Sequence, residues 1–330
     1  EIAQCLVGSE MCIRDSHRLD EGAREVFHTM KIFVPVDGSE QSLRALDYLK
    51  IQSLLPWENP EVEVFYAILP VPGRIYAHET EEELHRYYEQ EAARVFDDMK
   101  DVLAGSTVKP HYAYGVGEIV PTLNKAIEDY QPDLILIGSH GRGALRGFLF
   151  GSVSNSLLAT TTRPMLIIRD VMPQDHNDIR VGLAVDGSEY SLAAAKFIIA
   201  NRELFGPKAT FVLANVVSDF RAIAMPSRAG VPLTVMSDEE VKAFQDEQFE
   251  KAVSPALALF KEAGIPVETK RLCGEAGVEM AKFADSEELD LLVLGSHGYD
   301  NFEAAVLGSV ATRIAAVSKS PLLIIRSTKA

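Results

Sequence analysis

The chain is poor in cysteine, with three in 330 residues (Cys5, Cys12, Cys273) and no metal-type spacing among them. That excludes a disulfide scaffold and makes a reducing, cytoplasmic compartment the expectation. Long apolar runs are lacking as well. Stretches such as Leu134-Ile135-Leu136-Ile137 fall far short of the ~20 residues that a membrane helix needs, so no membrane span is expected. Positive charge is scarce: 32 Lys+Arg stand against 48 Asp+Glu, a net charge of −16. Nucleic acid and anionic lipid are therefore disfavoured as partners, since both are polyanions. No GxxxxGK[ST] motif occurs, so no P-loop lysine is placed against a transferred phosphoryl group. What is present is the balance of an ordinary globular protein, 47% hydrophobic and 24% charged. At about 150 residues per domain the length predicts two domains.

Glu1 to Ser16, EIAQCLVGSEMCIRDS, shows no basic region followed by an apolar run and hence no cleavable-signal pattern. It resembles the translation of a transposase-type sequencing-library adapter, one frame of which gives Leu6 to Asp15 in order. Met30 precedes a strong strand pattern and is the expected native start, which makes 1–29 a non-native leader. Removing its six acids and three arginines takes the net charge from −16 to −13, so the acidic argument stands. Two cysteines go with it, and Cys273 reads as a small structural residue.

The remainder is one pattern written twice. Lys31-Ile32-Phe33-Val34-Pro35-Val36-Asp37-Gly38-Ser39-Glu40 returns as Arg180-Val181-Gly182-Leu183-Ala184-Val185-Asp186-Gly187-Ser188-Glu189. Asp133 to Gly141 (DLILIGSHG) returns as Asp290 to Gly298 (DLLVLGSHG), and Arg163 to Arg169 (RPMLIIR) as Ser320 to Arg326 (SPLLIIR). The offset is 149 residues at the first pair and 157 at the others, so eight residues were gained inside the second copy. The expected division is 30–170, a polar linker at 171–178, and 179–330.

Each copy alternates strand and helix signals. In the first, Ile32–Val36, Val62–Ile68, Val108–Tyr114, Leu134–Ile137 and Met165–Ile168 read as strands. Ser39 to Leu55, a helix through Leu103, Ile119–Tyr130 and Ser152–Thr160 read as helices. Capping boxes stand at Thr80-Glu81-Glu82-Glu83 and Ser237-Asp238-Glu239-Glu240. Alternation of this kind predicts an α/β fold: two tandem five-stranded, doubly wound, Rossmann-like parallel-sheet domains.

Ligands of such sheets bind beyond the carboxyl ends of the strands, at the switch point. Two segments fall there in each copy. One is Asp37-Gly38-Ser39, repeated from Asp186. The other runs Gly138, two residues, Gly141, nine residues, Gly151-Ser152, and repeats as Gly295, Gly298, Gly308-Ser309. The spacing suits a phosphate cradle. Glycines let the backbone bend through φ > 0 and approach an anion, and the helix start offers free N–H groups and the positive end of its dipole. Ser152 would bond a phosphate oxygen or cap the helix. Arg142 and Arg146 add positive charge beside the turn.

These motifs resemble the universal stress protein family, in tandem form, over essentially all of 30–330. The carriers are the Val36-Asp37-Gly38-Ser39 opening, the G-x2-G-x9-G-[ST] turn and the Pro-Met-Leu-Ile-Ile close, each present twice. The resemblance to the ATP-binding branch implies that Asp37 contacts adenosine, that Gly138, Gly141, Arg142, Gly151 and Ser152 hold ribose and phosphates, and that Ile68 lines the adenine. Asp186, Gly295, Gly298, Gly308 and Ser309 are the second set. ATP is the implied cofactor; Mg²⁺ held by Asp37 or Asp186 with the phosphates is one option, helix capping by these aspartates the other. The second copy departs from the pattern, for Arg142-Gly143 becomes Tyr299-Asp300 and Arg146-Gly147 becomes Glu303-Ala304. A first copy that binds ATP about tenfold tighter or better is expected from those charges.

With positioning groups but little to activate water, hydrolysis is expected to be slow and the role that of a nucleotide-dependent stress-response switch or sensor. The alternatives are a non-nucleotide-binding assembly protein, and an ATP-dependent enzyme with lids at 69–79 and 218–236. Ser152, Ser154 and Ser309 are phosphoryl acceptors or helix caps; His140 and His297 read as loop-fitting residues. The closing strands Met165–Ile168 and Leu322–Ile325 are predicted sheet edges, and such edges invite pairing. Family members dimerise through this strand, which implies a pseudo-dimer within the chain or a homodimer. Other protein partners are unspecified.

Overall fold

The computed structural model describes residues 29–52, 60–72, 80–139, 150–169, 179–219, 237–297 and 307–326. The first copy runs β1 (Lys31–Val36), α1 (Glu40–Gln52), β2 (Glu61–Ile68), α2 (Glu81–Leu103), β3 (His111–Val116), α3 (Ile119–Tyr130), β4 (Leu134–Gly138), α4 (Ser152–Thr160) and β5 (Met165–Ile168). The second runs β6 (Arg180–Ala184), α5 (Glu189–Ala200), a 3₁₀ turn (Arg202–Phe205), β7 (Thr210–Val217), α6 (Asp238–Glu262), β8 (Glu268–Cys273), α7 (Ala276–Ser286), β9 (Leu291–Gly295), α8 (Ser309–Val317) and β10 (Leu322–Ile325).

Local chemistry accounts for the helix starts. Both capping boxes form: Thr80 Oγ1 accepts from Glu83 N and Ser237 Oγ from Glu240 N, while each glutamate reaches back to the cap's own N–H. Three acids in the first turn of α2, and three in that of α6, oppose the positive end of the helix dipole. The third strand starts at His111 rather than at the expected Val108. Pro110 lies just ahead of it and has no N–H to give a ladder. Residues 53–55, expected in the first helix, lie outside the described residues.

The ten strands form one sheet, in the order β3-β2-β1-β4-β5-β10-β9-β6-β7-β8. All neighbours within a copy are parallel. The inner strands β1, β4, β5, β9 and β10 are apolar on both faces, as buried parallel strands are. Along β1, Ile32, Val34 and Val36 face a core shared with α1 and α2, and Phe33 faces a core shared with α3 and α4. Each core continues under the helices of the second copy.

The copies meet at β5 and β10, which pair antiparallel with Leu322 opposite Ile167, Leu323 opposite Leu166 and Ile324 opposite Met165. Leu166 and Leu323 are equivalent residues of the repeat, so a pseudo-two-fold axis passes between them. The same symmetry orders the flanking arginines. Arg169 Nη1 donates to Ala315 O of α8 at 2.7 Å, and Arg326 Nη1 donates to Leu158 O of α4. Both carbonyls belong to a helix's last turn, which leaves acceptors orphaned and carries partial negative charge.

Candidate functional site

β1 lies between β2 and β4: the chain runs outward from β1 through β2 to β3, then crosses back to β4 on the other side of β1. That is the switch point, and the two duplicated turns flank it. At the end of β1, Asp37 Oδ1 accepts from Ser39 N at 3.0 Å and from Ser42 Oγ at 2.6 Å, and Ser42 Oγ accepts from Asp37 N at 3.1 Å. Gly38 sits at φ +73°, a left-handed conformation that glycine adopts without strain. The second copy keeps Gly187 at φ +78° and Ser188 N on Asp186 Oδ1 at 2.9 Å. There Ser191, the counterpart of Ser42, donates its hydroxyl to Ser188 O at 3.0 Å, where Ser42 donates to the aspartate.

At the end of β4 the loop is pinched shut at its base. Ser139 N donates to Ile168 O at 2.9 Å, and Gly151 N donates to Ser139 O at 2.7 Å. Ser296 N to Ile325 O and Gly308 N to Ser296 O repeat this at 2.9 and 2.8 Å. The helices that follow start without protection. Gly151 and Gly308 are the N-caps, neither helix has a side-chain cap bond, and neither has an acid in its first turn. Ser152 and Ser309 are exposed on that first turn. In α2 and α6 the protein supplies both kinds of protection; in α4 and α8, among the described residues, it supplies neither. An uncapped, acid-free N-terminus that follows a strand's carboxyl end can receive an anion on its N–H groups.

The scan against family models matches this chain to the universal stress protein family twice, over residues 28–169 and 180–326. The chain belongs to the universal stress protein family. A universal stress protein of Mycolicibacterium smegmatis is 26% identical over 305 residues, 89% of this chain and 96% of its own length. One of Mycobacterium tuberculosis is 29% identical over 213 residues, 64% of this chain and 63% of its own length. Among solved structures, a universal stress protein of Archaeoglobus fulgidus aligns over 91% of this chain and 99% of its own, with TM-score 0.63 and 19% identity. That likeness concerns the fold.

Within this universal stress protein architecture the expected site residues divide into three groups. Asp37, Gly138, Gly151 and Ser152 are described at the ends of β1 and β4, and Asp186, Gly295, Gly308 and Ser309 at the equivalent points of the second copy. Ile68 ends β2 and is buried in the core that α1 and α2 share, with its carbonyl accepting from Gly117 N at 2.9 Å. Gly141, Arg142 and Gly298 lie outside the described residues, as do His140, Arg146, Tyr299, Asp300 and Glu303.

Two expectations are corrected. Of the second turn's glycines, the described ones (Gly138, Gly151, Gly295 and Gly308) do not adopt positive φ. Gly151 and Gly308 lie at φ −62° and −61°, and positive φ is found instead at Gly38 and Gly187. Gly138 is required by close packing, because a Cβ there would stand 2.6 Å from Gln41 O; one at Gly295 would stand 2.7 Å from the Tyr190 carbonyl carbon. Ser152 and Ser309 are the first helical residues rather than the caps. Ser154 is buried and donates to Gly138 O at 3.1 Å, which removes it from the solvent-facing hydroxyls.

Reading the sequence missed Ser42, Ser139 and Gln41. Ser42 and Ser139 recur in the second copy as Ser191 and Ser296, a signal that was there to be used. Gln41, whose backbone abuts Gly138, carries a buried amide oxygen with no hydrogen-bond partner among the described residues; its counterpart Tyr190 lies against His297 in a tilted ring pair, centroids 5.4 Å apart.

Proposed function

We propose that the first copy binds ATP between the Asp37 turn and the start of α4, and that occupancy sets the state of a stress-response switch. The observation that carries this is the unprotected α4 N-terminus, without capping side chain or first-turn acid, at the switch point of the sheet. Asp37 would face the nucleoside end, and Gly141, Arg142, Gly151 and Ser152 the phosphates. Among the described residues no group of three His, Cys, Asp or Glu could hold a metal ion. Mg²⁺ arriving with the phosphates would be held by them together with Asp37. Lacking a P-loop lysine, the site positions ATP and turns it over slowly.

The second copy is proposed to be mainly structural. Its turn exchanges Arg142 and Arg146 for Tyr299 and Glu303 and adds Asp300, and like charge disfavours a triphosphate. The division at 30–170, 171–178 and 179–330, a cytoplasmic location and a chain that acts as its own dimer belong to the same reading. The antiparallel β5–β10 pairing supports the last point.

The test is to purify the chain without added nucleotide, denature it, and identify what is released by chromatography and mass, beside a Gly141→Glu variant. Adenine nucleotide near one per chain, lost in the variant, is the expected result. No nucleotide, and no binding on adding ATP back, would reduce the turn to architecture.

A further inference from the structure

The two outer strands of the sheet, β3 and β8, are equivalent in the repeat but differently protected. β8 reads Glu-Thr-Lys-Arg-Leu-Cys, and its charges are tied down: Arg271 pairs with Asp246 of α6, Lys270 Nζ lies 2.8 Å from Glu287 Oε1, and Arg180 Nη2 lies 3.3 Å from Glu268 Oε2. Charges on an edge strand oppose the addition of another strand. β3 reads His-Tyr-Ala-Tyr-Gly-Val, with no lysine, arginine, acid or proline. Among the described residues its only strand neighbour is β2. Val116 at its end is 41% exposed, and Leu69, just past the residue paired with Val116, is 60% exposed.

A second observation lies alongside. A groove of about 540 Å³ runs between β3 and α3, lined by Glu63, Phe65, Gly115, Ala126 and Asp129, with Lys125 also on its wall. The strand's own backbone forms part of that wall, since a Cβ on Gly115 would stand 2.7 Å from Thr122 Cγ2 and 3.0 Å from Phe65 Cζ. The second copy has Val212, Leu272, Phe283 and Ser286 where the first has Glu63, Gly115, Ala126 and Asp129. Phe283 and Val212 are core residues there. The space and both carboxylates thus belong to the first copy alone. Three carboxylates, Glu61, Glu63 and Asp133, act on Tyr130 beside the groove. Burial, then these charges, push the Tyr130 phenol up to about 12.

We propose that the outer edge of β3 is a docking site for an extended peptide segment of a partner protein, which adds to the sheet as an eleventh strand and lodges a lysine or arginine side chain in the groove lined by Glu63 and Asp129. Main-chain pairing supplies affinity in this mode, and the side-chain pocket supplies selectivity. The inference does not depend on nucleotide binding.

The test uses the full chain and three fluorescent nonapeptides of alternating Thr and Val: one with a central Lys, one with a central Glu, and the Lys peptide N-methylated at alternate residues. Anisotropy is expected to show saturable binding of the Lys peptide, about tenfold weaker binding of the Glu peptide, and none of the N-methylated one. Asp129→Lys, at an exposed helical position, is expected to abolish the preference for Lys. Tyr114→Arg is expected to weaken binding without unfolding the chain, because it recreates Arg271 opposite Glu89, the counterpart of Asp246. Equal binding of the Lys and Glu peptides, binding that survives N-methylation, or no saturation up to about 1 mM would overturn the proposal. So would concentration-dependent dimerisation that Tyr114→Arg abolishes, since a second copy would then occupy the edge.

Discussion

Placing a carboxylate at the start of α4 should move stability and nucleotide affinity in opposite directions. Ser152 is the first residue of the helix, is exposed, and follows a glycine cap at φ −62°, ψ 159° with no side-chain bond. In Ser152→Asp the new charge meets the positive end of the dipole, a gain of about 0.3–1 kcal/mol. For a domain of this size that is a rise in Tm of roughly 1–4 °C. With ATP bound, the same carboxylate faces a like charge. At ~4 Å one such pair costs about 1 kcal/mol in water and about 4 kcal/mol near a protein surface. Exposure of Ser152 favours the lower half of that range, so a loss of about tenfold to thirtyfold in affinity follows. Calorimetry on nucleotide-stripped chain reads the first quantity, and titration with ATP reads the second. Ser309→Asp, at the equivalent point of α8, should raise Tm in the same way and leave nucleotide content nearly unchanged. Should Ser152→Asp stabilise the chain while ATP affinity stays put, the helix start is not where the phosphates lie.

Gly138→Ala should destabilise by about 1–3 kcal/mol, the range for overpacking, because its Cβ would meet Gln41 O at 2.6 Å; denaturant unfolding checks this, and Gly295→Ala should behave alike. Replacing Arg326 by Met leaves Leu158 O without its charged donor and should cost about 1.5–3 kcal/mol; after cleavage in the 170–178 segment, the halves should separate on gel filtration more readily than in the unsubstituted chain. The bonds from the Ser237 N–H and hydroxyl hold the Glu240 carboxyl below its ordinary 4.5. The stability this confers is complete above that value and is lost as pH falls through the lower folded-state one, so Ser237→Ala should flatten the acid limb of a Tm-against-pH profile.

The fold was legible because its signals are local and written twice. The continuous apolar runs of β1 and β4 and the two capping boxes need nothing beyond their own segments. The start of β3 was misplaced because Val108 has the apolar character of a strand residue, whereas Pro110 decides the ladder. At the site, the repeat singles out Asp37, Gly138, Gly151 and Ser152, which the structure sets at the ends of β1 and β4, but spacing alone gives the wrong reason for Gly138. Its constraint is the backbone of α1 pressed against it, a tertiary contact that spacing does not encode. Ser42 was passed over because one hydroxyl among many carries no pattern until its bond to Asp37 is seen. Arg169 and Arg326 both close their copies, yet each finds its acceptor in the other half of the chain, 146 and 168 residues away.

That exchange of arginines across β5 and β10 has a consequence for inheritance. In a symmetric pair of identical chains every substitution is made twice, and a change that suits one seat must be tolerated in the other. Here the two seats are encoded separately and travel together, so dilution does not part them. One half can lose the arginines of its glycine turn and carry charges on its outer strand, while the other keeps the arginines and an uncharged strand. The covalent tie lets the two halves of a two-fold assembly diverge.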